Sequence, residues 1–366
     1  MNNGNIKCNG YGVLRFIFAM SVVYTHSFAL SGSKDLDPMQ RVTGLSCSHF
    51  GVMGFFILSG YLNAQSVSRG SAHRWRSLSF LLRRAFRIFP LLWAILLAIA
   101  AVYVAYAAAG GLTHLASNRD LPYGKTVWSA FVDAFRFSRG NAIPWLPHYS
   151  LAGVFEGNPS QAICGSLWTL PYEIVFYLIL SMSQSLGDIG RKSGACLMFV
   201  TAVTCVIATT ASPGKLPIFA SFQTYWLGTL GFAFLTGLAL AFQPMRTWLT
   251  LTSAGILFFY FKFGWIEYGA VARAFEILCF GVIIVHVGSI SLGGFSRFSE
   301  KYDPSYGIYL LSFPIQQMLV SQGVHSVALL FWSTSAISIL FASLTWCFIE
   351  RPALRIGRNW TLRLWR

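Results

Sequence analysis

The chain has 366 residues, of which 55% are apolar, 16% aromatic and only 11% charged, and its mean hydropathy is +0.57. Ordinary soluble proteins carry about 25% charged residues. There are too few charges here to cover a soluble globule, which excludes a soluble enzyme, a disordered chain and a nucleic-acid module. The net charge of +15 therefore matters through which loops carry it. Continuous apolar runs of ~20 residues, without the ~10-residue alternation of a barrel, indicate an all-α polytopic membrane protein.

Hydropathy predicts about ten transmembrane helices, over 11–30, 49–67, 87–109, 166–186, 194–211, 222–242, 248–265, 269–290, 305–323 and 326–349. The first run is long enough to span and no small-residue cleavage site follows it, so it reads as a retained helix. The weakest spans are 248–265, which holds Lys262, and 305–323, which holds Pro314. Ten spans place both termini on one side. With the termini inside, the inner segments collect Lys7, Arg69, Arg74, Arg83, Arg84, Arg191, Lys192 and the arginines of the C-terminal tail, and the outer ones are poorer. By the positive-inside rule both termini should be cytoplasmic. The chain reads as one membrane domain, 1–366, with a long outward connection at about 110–165. That connection contains Pro122, Pro144, Pro147 and Pro159 and an amphipathic stretch near Trp128. Either it packs as a plain loop or it covers an outward-facing site.

Cys196, Cys205, Cys279 and Cys347 lie in apolar runs and read as small hydrophobes. Cys47 and Cys164 fall in polar connections on the same predicted side, which is compatible with a disulfide or with two free thiols. No Cys/His spacing suggests a metal site.

Ionisable residues inside spans are costly and mark functional sites. Arg15 and His26 share the first span, eleven residues apart. At 100° per residue they fall on one stripe, roughly 16 Å apart along the axis. They line a pore, with His26 as general base, or else His26 is hydrogen-bonded in the bundle and Arg15 snorkels to headgroups. Gly51, Gly54 and Gly60 in the second span allow close helix contact. Arg84 and Arg87, three apart, are helix-face neighbours that suit phosphate; a topology signal with anionic-lipid contact is the other reading. In the fourth span, Pro171 breaks the local ladder and Glu173 needs a partner. A relation between Glu173 and His26 is one option and a structural ion pair another. Arg273 and Glu276, three apart in the eighth span, read as a pair.

Together, FFILSGYL at 55–62, RRAFRIFP at 83–90, SLWTLPYEIVFY at 166–177, SYGIYLLSFPI at 305–315 and WCFIERP at 346–352, with Arg15 and His26, resemble the acyltransferase-3 family of bacterial integral-membrane acyltransferases. The resemblance covers most of the chain in the family's order. It implies a ten-span bundle, of the short form without an esterase-like periplasmic domain, in the bacterial inner membrane. It also implies transfer of an acyl group, usually acetyl, from cytoplasmic acetyl-CoA (acyl-CoA), a co-substrate and not a permanently bound cofactor. The implied acceptor is a hydroxyl of a cell-surface or exported polysaccharide or of its polyprenol-linked precursor, and no nucleic acid is involved. In that reading Arg84 and Arg87 hold the CoA phosphates and the pantetheine arm passes Arg15. His26 deprotonates the acceptor or carries the acyl group, Glu173 orients His26, and Trp168 and Tyr172 meet substrate. The family segment often has a His before its Phe-Pro; here that residue is Ser312. Without the resemblance, a glycolipid transporter or flippase would place charges in a bundle interior equally well.

Overall fold

The computed structural model describes residues 9–33, 37–68, 76–108, 154–185, 218–219, 222–264, 269–291 and 293–363. The span expected at 194–211 and most of the 110–165 connection lie outside the described residues, as do Cys196 and Cys205. The first helix, α1, is Tyr11–Leu30, followed by the short α2, Pro38–Thr43, and the long α3 and α4, Cys47–Ser68 and Arg76–Ala108. A 3-10 turn, Gly165–Thr169, leads into α5, Leu170–Ser185. A two-residue antiparallel ladder, Ile218–Phe219 with Phe222–Gln223, precedes α6, Thr224–Leu240. Then come α7, Thr247–Lys262, α8, Gly269–Ser289, and the short α9, Gly294–Lys301. The last elements are α10, Ser305–Ser321, α11, Val327–Thr345, a π-turn, Trp346–Glu350, and α12, Arg351–Arg363.

The class is helical and membrane-spanning. Among the described residues, five stretches are long and apolar enough to cross a bilayer: Tyr11–Leu30, Ser77–Val102, Gly165–Met182, Val271–Ser289 and Val327–Leu362. Large apolar side chains such as Trp93, Leu97, Phe258, Trp332 and Phe348 are exposed. Water would penalise such a surface, whereas lipid does not.

Two boundaries differ from the sequence reading. The third expected span begins at 87, but α4 starts at Arg76 and runs unbroken through Pro90. Ser79 and Phe80 are buried, so the segment before the arginines already packs as a helix. It carries Arg84 and Arg87 into the bundle interior. Pro171 does not break a ladder: it is the second residue of α5, where the first-turn N–H groups have no intrahelical acceptor.

The centre of the bundle is α3, packed between α1 and α6. Glycine makes this approach possible. A Cβ on Gly60 would collide with the Phe234 carbonyl of α6, and one on Gly237 with the Ile57 carbonyl of α3. Gly51 and Gly54 do the same toward Phe18 of α1, so the expected close-contact role of these glycines holds. Asp37 fastens the far end of α1. Its carboxylate caps α2 at Gln40 N, accepts the Thr25 hydroxyl at 2.8 Å and accepts Cys47 N–H at 3.1 Å. Cys47 and Cys164 are free thiols.

Candidate active site

A cavity of about 130 Å³ opens between α1, α3, α4, α5 and α10. Its polar lining includes Arg15, Arg84, Arg87, Glu173, Tyr177 and Tyr306, and its apolar lining includes Val52, Phe55 and Leu62. Each polar group arrives by helical spacing. Arg84 and Arg87 are three apart on α4, and Glu173 and Tyr177 are four apart on α5, so each pair shares a face.

The arginines fall into two kinds. Arg87 is saturated by carboxylates: Nη2 lies 2.8 Å from Asp303 and Nη1 lies 3.2 Å from Glu350. Arg15 Nη2 reaches the same Asp303 oxygen at 3.1 Å. Burial alone would raise the Asp303 carboxyl, but Arg15 and Arg87 outweigh it and hold it below the usual carboxylate range. Arg84 is different. Its guanidinium lies over the rings of Phe80 and Tyr177, 5.6 and 5.5 Å from their centroids. Its buried Nε has no hydrogen-bond partner among the described residues. The expected phosphate fork is thus uneven: Arg87 is paired with two carboxylates, whereas Arg84 has no carboxylate within salt-bridge distance among the described residues.

Glu173 lies in the first turn of α5 and accepts a short hydrogen bond from Tyr177 Oη. Arg84 and Arg87 are the cations that act on it. It therefore belongs to the arginine cavity and is not paired with His26. Nearby, Tyr306 Oη donates to the Ile88 carbonyl at 2.9 Å, and Thr169 and Tyr309 share a buried hydrogen bond of 2.8 Å.

His26 is partly buried and does not line the cavity. Its ring stands edge-on to Phe313, with centroids 5.0 Å apart. Phe313 is one turn beyond the cavity-lining Tyr309 on α10, so the ring that His26 meets is the next one along the helix from the cavity wall. Gly165 admits that ring: a Cβ there would strike Phe313. Gln316 Nε2 holds the same part of α1 by donating to the Val23 carbonyl and the Ser27 hydroxyl, at 2.9 and 2.8 Å.

The family model described as an acyltransferase domain, acyltransferase-3, matches residues 9–349. The chain belongs to the acyltransferase-3 family. It is an enzyme of acyl transfer, built in a membrane. It is 27% identical over 364 residues to an O-acetyl transferase of Shigella phage Sf6, covering 95% of this chain and 96% of that protein. It is 26% identical over 382 residues to nodulation protein 10 of Rhizobium leguminosarum bv. viciae, covering 97% and 95%. No solved structure matches it.

The segments that carry this acyltransferase's family resemblance converge on the cavity. Ser59, Arg84, Arg87, Glu173, Tyr177, Ser305, Tyr306 and Tyr309 all line it, and Glu350 braces Arg87 from the π-turn. Trp168 and Tyr172 do not line it. Trp168 packs on Trp226, with centroids 4.8 Å apart, and Tyr172 Oη accepts Gln223 N–H at 3.0 Å. They brace α5 against α6. Ser312 is fully buried, and its hydroxyl has no partner among the described residues.

Sequence reasoning missed Asp303, Tyr177, Ser59 and Asn63. The i, i+4 pairs Ser59/Asn63 and Glu173/Tyr177 were visible signals. The Arg273–Glu276 pair is present at 2.9 Å, but Glu276 is also 3.0 Å from His49 Nε2. That cross-helix tie of α8 to α3 has no local sequence signal.

Proposed function

We propose that this acyltransferase moves an acetyl group from acetyl-CoA on the cytoplasmic side of the bacterial inner membrane to a carbohydrate hydroxyl. The acceptor is a cell-surface or exported polysaccharide, or its polyprenol-linked precursor. The observation that carries the reading is an arginine-rich cavity lined by Tyr309 of α10, with His26 against Phe313, the ring one turn further along that helix. Arg84, with no carboxylate in salt-bridge reach among the described residues, meets an anionic donor, and Arg15 and His26 share one stripe of α1 by their spacing. The phage relative's name, O-acetyl transferase, supports a hydroxyl acceptor.

In the mechanism we propose, the donor's phosphates meet Arg84 at the cavity mouth and its thin arm runs along the cavity. The thioester then reaches the Phe313 wall beside His26. His26 takes the proton of the acceptor hydroxyl as that oxygen attacks the thioester carbonyl. The C–S bond breaks, the CoA thiolate leaves, and it recovers a proton from the imidazolium. Alternatively the imidazole itself takes the acetyl group and passes it to the hydroxyl; in the first route His26 touches the acceptor's proton and in the second the acetyl carbon. Both termini on the cytoplasmic side and ten spans complete this arrangement.

The test is vesicle transfer. Labelled acetyl-CoA is supplied at the cytoplasmic face of membranes holding the enzyme and acceptor glycan. Base-labile ester label in the glycan is expected. Glycan that crosses the membrane without label would instead indicate a transporter.

A further inference from the structure

The last helix of the bundle is longer than a bilayer is thick. From Val327 to Leu362 it runs for 36 residues, about 54 Å at the α-helical rise, against a hydrocarbon core of ~30 Å. About 20 residues suffice to cross. Counted from Val327 they end at Trp346, the first residue of the π-turn, and tryptophan is a residue of the membrane interface. The helix α12, Arg351–Arg363, therefore starts where the span has already reached the headgroups.

Helical spacing sorts the side chains of α12 into three strips. Ala353, Gly357 and Thr361, each four apart, are buried. Gly357 lets this strip lie on α4, where a Cβ would strike Phe86. Pro352, Ile356 and Trp360, also four apart, are exposed, and the Trp360 ring stands edge-on to Phe86 with centroids 6.1 Å apart. Arg351, Arg355 and Arg358 make the third strip. All three are exposed, and none has a carboxylate within 4 Å among the described residues. The exposed apolar strip and the basic strip are roughly 130° apart around the axis. A helix lying in the plane of the interface can thus turn one strip to acyl chains and the other to headgroups while the third rests on α4. The short α9 repeats the pattern at the same end of the molecule. Ser296 and Ser299 are buried, with Ser299 against Gly12 of α1, whereas Phe295, Arg297, Phe298 and Lys301 are exposed. Tyr302, the residue after α9, packs its ring on Trp346 with centroids 6.3 Å apart, which sets α9 at the level of the π-turn.

We propose that α12, together with α9, is a docking surface for anionic phospholipid. Arg355 and Arg358 pair with the lipid phosphates, and Ile356 and Trp360 enter the upper acyl region. Charge selects the partner: α12 carries four arginines and no acid, so a zwitterionic surface would cover its apolar strip and leave the arginines without a net counter-charge. Docking also bears on the cavity. The chain enters α12 directly after Glu350, the carboxylate that holds Arg87 at 3.2 Å, so a seated α12 anchors that clamp. The inference is independent of the reaction assigned to the cavity.

The test uses the full-length protein in phosphatidylcholine vesicles that contain an equal minor share of brominated phosphatidylglycerol or of brominated phosphatidylcholine. Bromine near the headgroup end of the acyl chain quenches tryptophans that it meets, and the Trp360 signal is the difference between wild type and Trp360→Phe. Phosphatidylglycerol is expected to quench Trp360 at least about twofold more than phosphatidylcholine, since each basic residue at an anionic surface strengthens attachment about fivefold. High salt narrows the ratio. Arg355→Gln combined with Arg358→Gln brings it close to one, and Arg355→Lys combined with Arg358→Lys retains most of it. If the double glutamine variant does not accumulate, Arg358→Gln alone lowers the ratio part-way. Equal quenching by the two lipids in the wild type, or a preference that survives the glutamine substitutions, overturns the proposal. Quenching by neither lipid overturns it as well and assigns the exposed strips to a protein partner. A preference abolished by glycerol 3-phosphate in the buffer reassigns the arginines to a soluble phosphate and overturns the lipid surface.

Discussion

Arg15 and Asp303 lie 3.1 Å apart, joining the first helix of the bundle to the link between α9 and α10. Asp303 holds Arg87 at the same oxygen, and Arg87 reaches on to Glu350. The bases of α1, α4 and α10 and the π-turn are thus tied by one buried charge network. Removing one partner of a buried ion pair costs about 3–5 kcal/mol, because the remaining charges are left unpaired. Asp303→Ala should therefore lower the thermal midpoint of the detergent-solubilised protein sharply, and Asp303→Asn should do so less.

The pH dependence has a definite sign. The Asp303 carboxyl is held below its ordinary range by Arg15 and Arg87. Its contribution is fully present above the unfolded value, about 3.9, and is lost as pH falls through the lower folded value. The part of the gap between wild type and Asp303→Asn that Asp303 itself contributes should persist from pH 8 to 5 and should be lost only in strong acid. A gap that closes near pH 6 would show that another group controls the network.

Arg84 and Arg87 should separate in mutagenesis although they are neighbours on one helix. Arg87→Ala abandons Asp303 and Glu350, so it should cost stability of the same order as Asp303→Ala. Arg84→Ala breaks no ion pair within 4 Å among the described residues, loses two ring contacts and leaves Arg87 as the remaining cation acting on Glu173. It should keep the thermal midpoint within about 1–2 kcal/mol of wild type by the size of exposed and partly buried cation–π contacts, while raising KM for acetyl-CoA at least tenfold. Equal effects on stability would sink the distinction.

Gly60→Ala places a methyl against the Phe234 carbonyl where α3 crosses α6. Overpacking typically costs about 1–3 kcal/mol, and here the obstacle is backbone, which cannot turn aside. Gly255→Ala on α7 is the control. Nothing lies within 4 Å of a Cβ there, and alanine favours a helix by up to about 1 kcal/mol. Melting curves should move in opposite directions.

The class, the helix positions and the glycine contacts were readable because each depends on local composition and spacing. Five long apolar runs, the Gly51/Gly54/Gly60 face and the Arg273–Glu276 pair survive among the described residues. The site was readable only in part. Arg84 and Glu173 announced themselves as charges in apolar surroundings, but nothing local says which partner a buried charge will find. Asp303 comes 216 residues after Arg87 in the chain and lies between expected spans, where a carboxylate carries no signal. Spacing on α1 put His26 and Arg15 on one stripe, yet it could not show that Glu173 turns toward Tyr177, or that His26 meets the Phe313 ring.

Phe313 gives a prediction of its own. Its ring fills the space between His26 and the 3-10 turn at Gly165. Phe313→Ala should admit water beside His26, so hydrolysis of acetyl-CoA without acceptor should rise while glycan labelling falls. A rise in both would mean that Phe313 merely restricts access.

The most direct test of the transfer reading is single-turnover acetyl transfer in sealed vesicles with labelled acetyl-CoA, comparing wild type with His26→Ala at matched protein levels and thermal midpoints. The expected result is base-labile glycan label from wild type and a loss of at least about a hundredfold in His26→Ala, in line with removal of a positioned general base. Undiminished labelling by His26→Ala would contradict the placement of the chemistry beyond the arginine cavity.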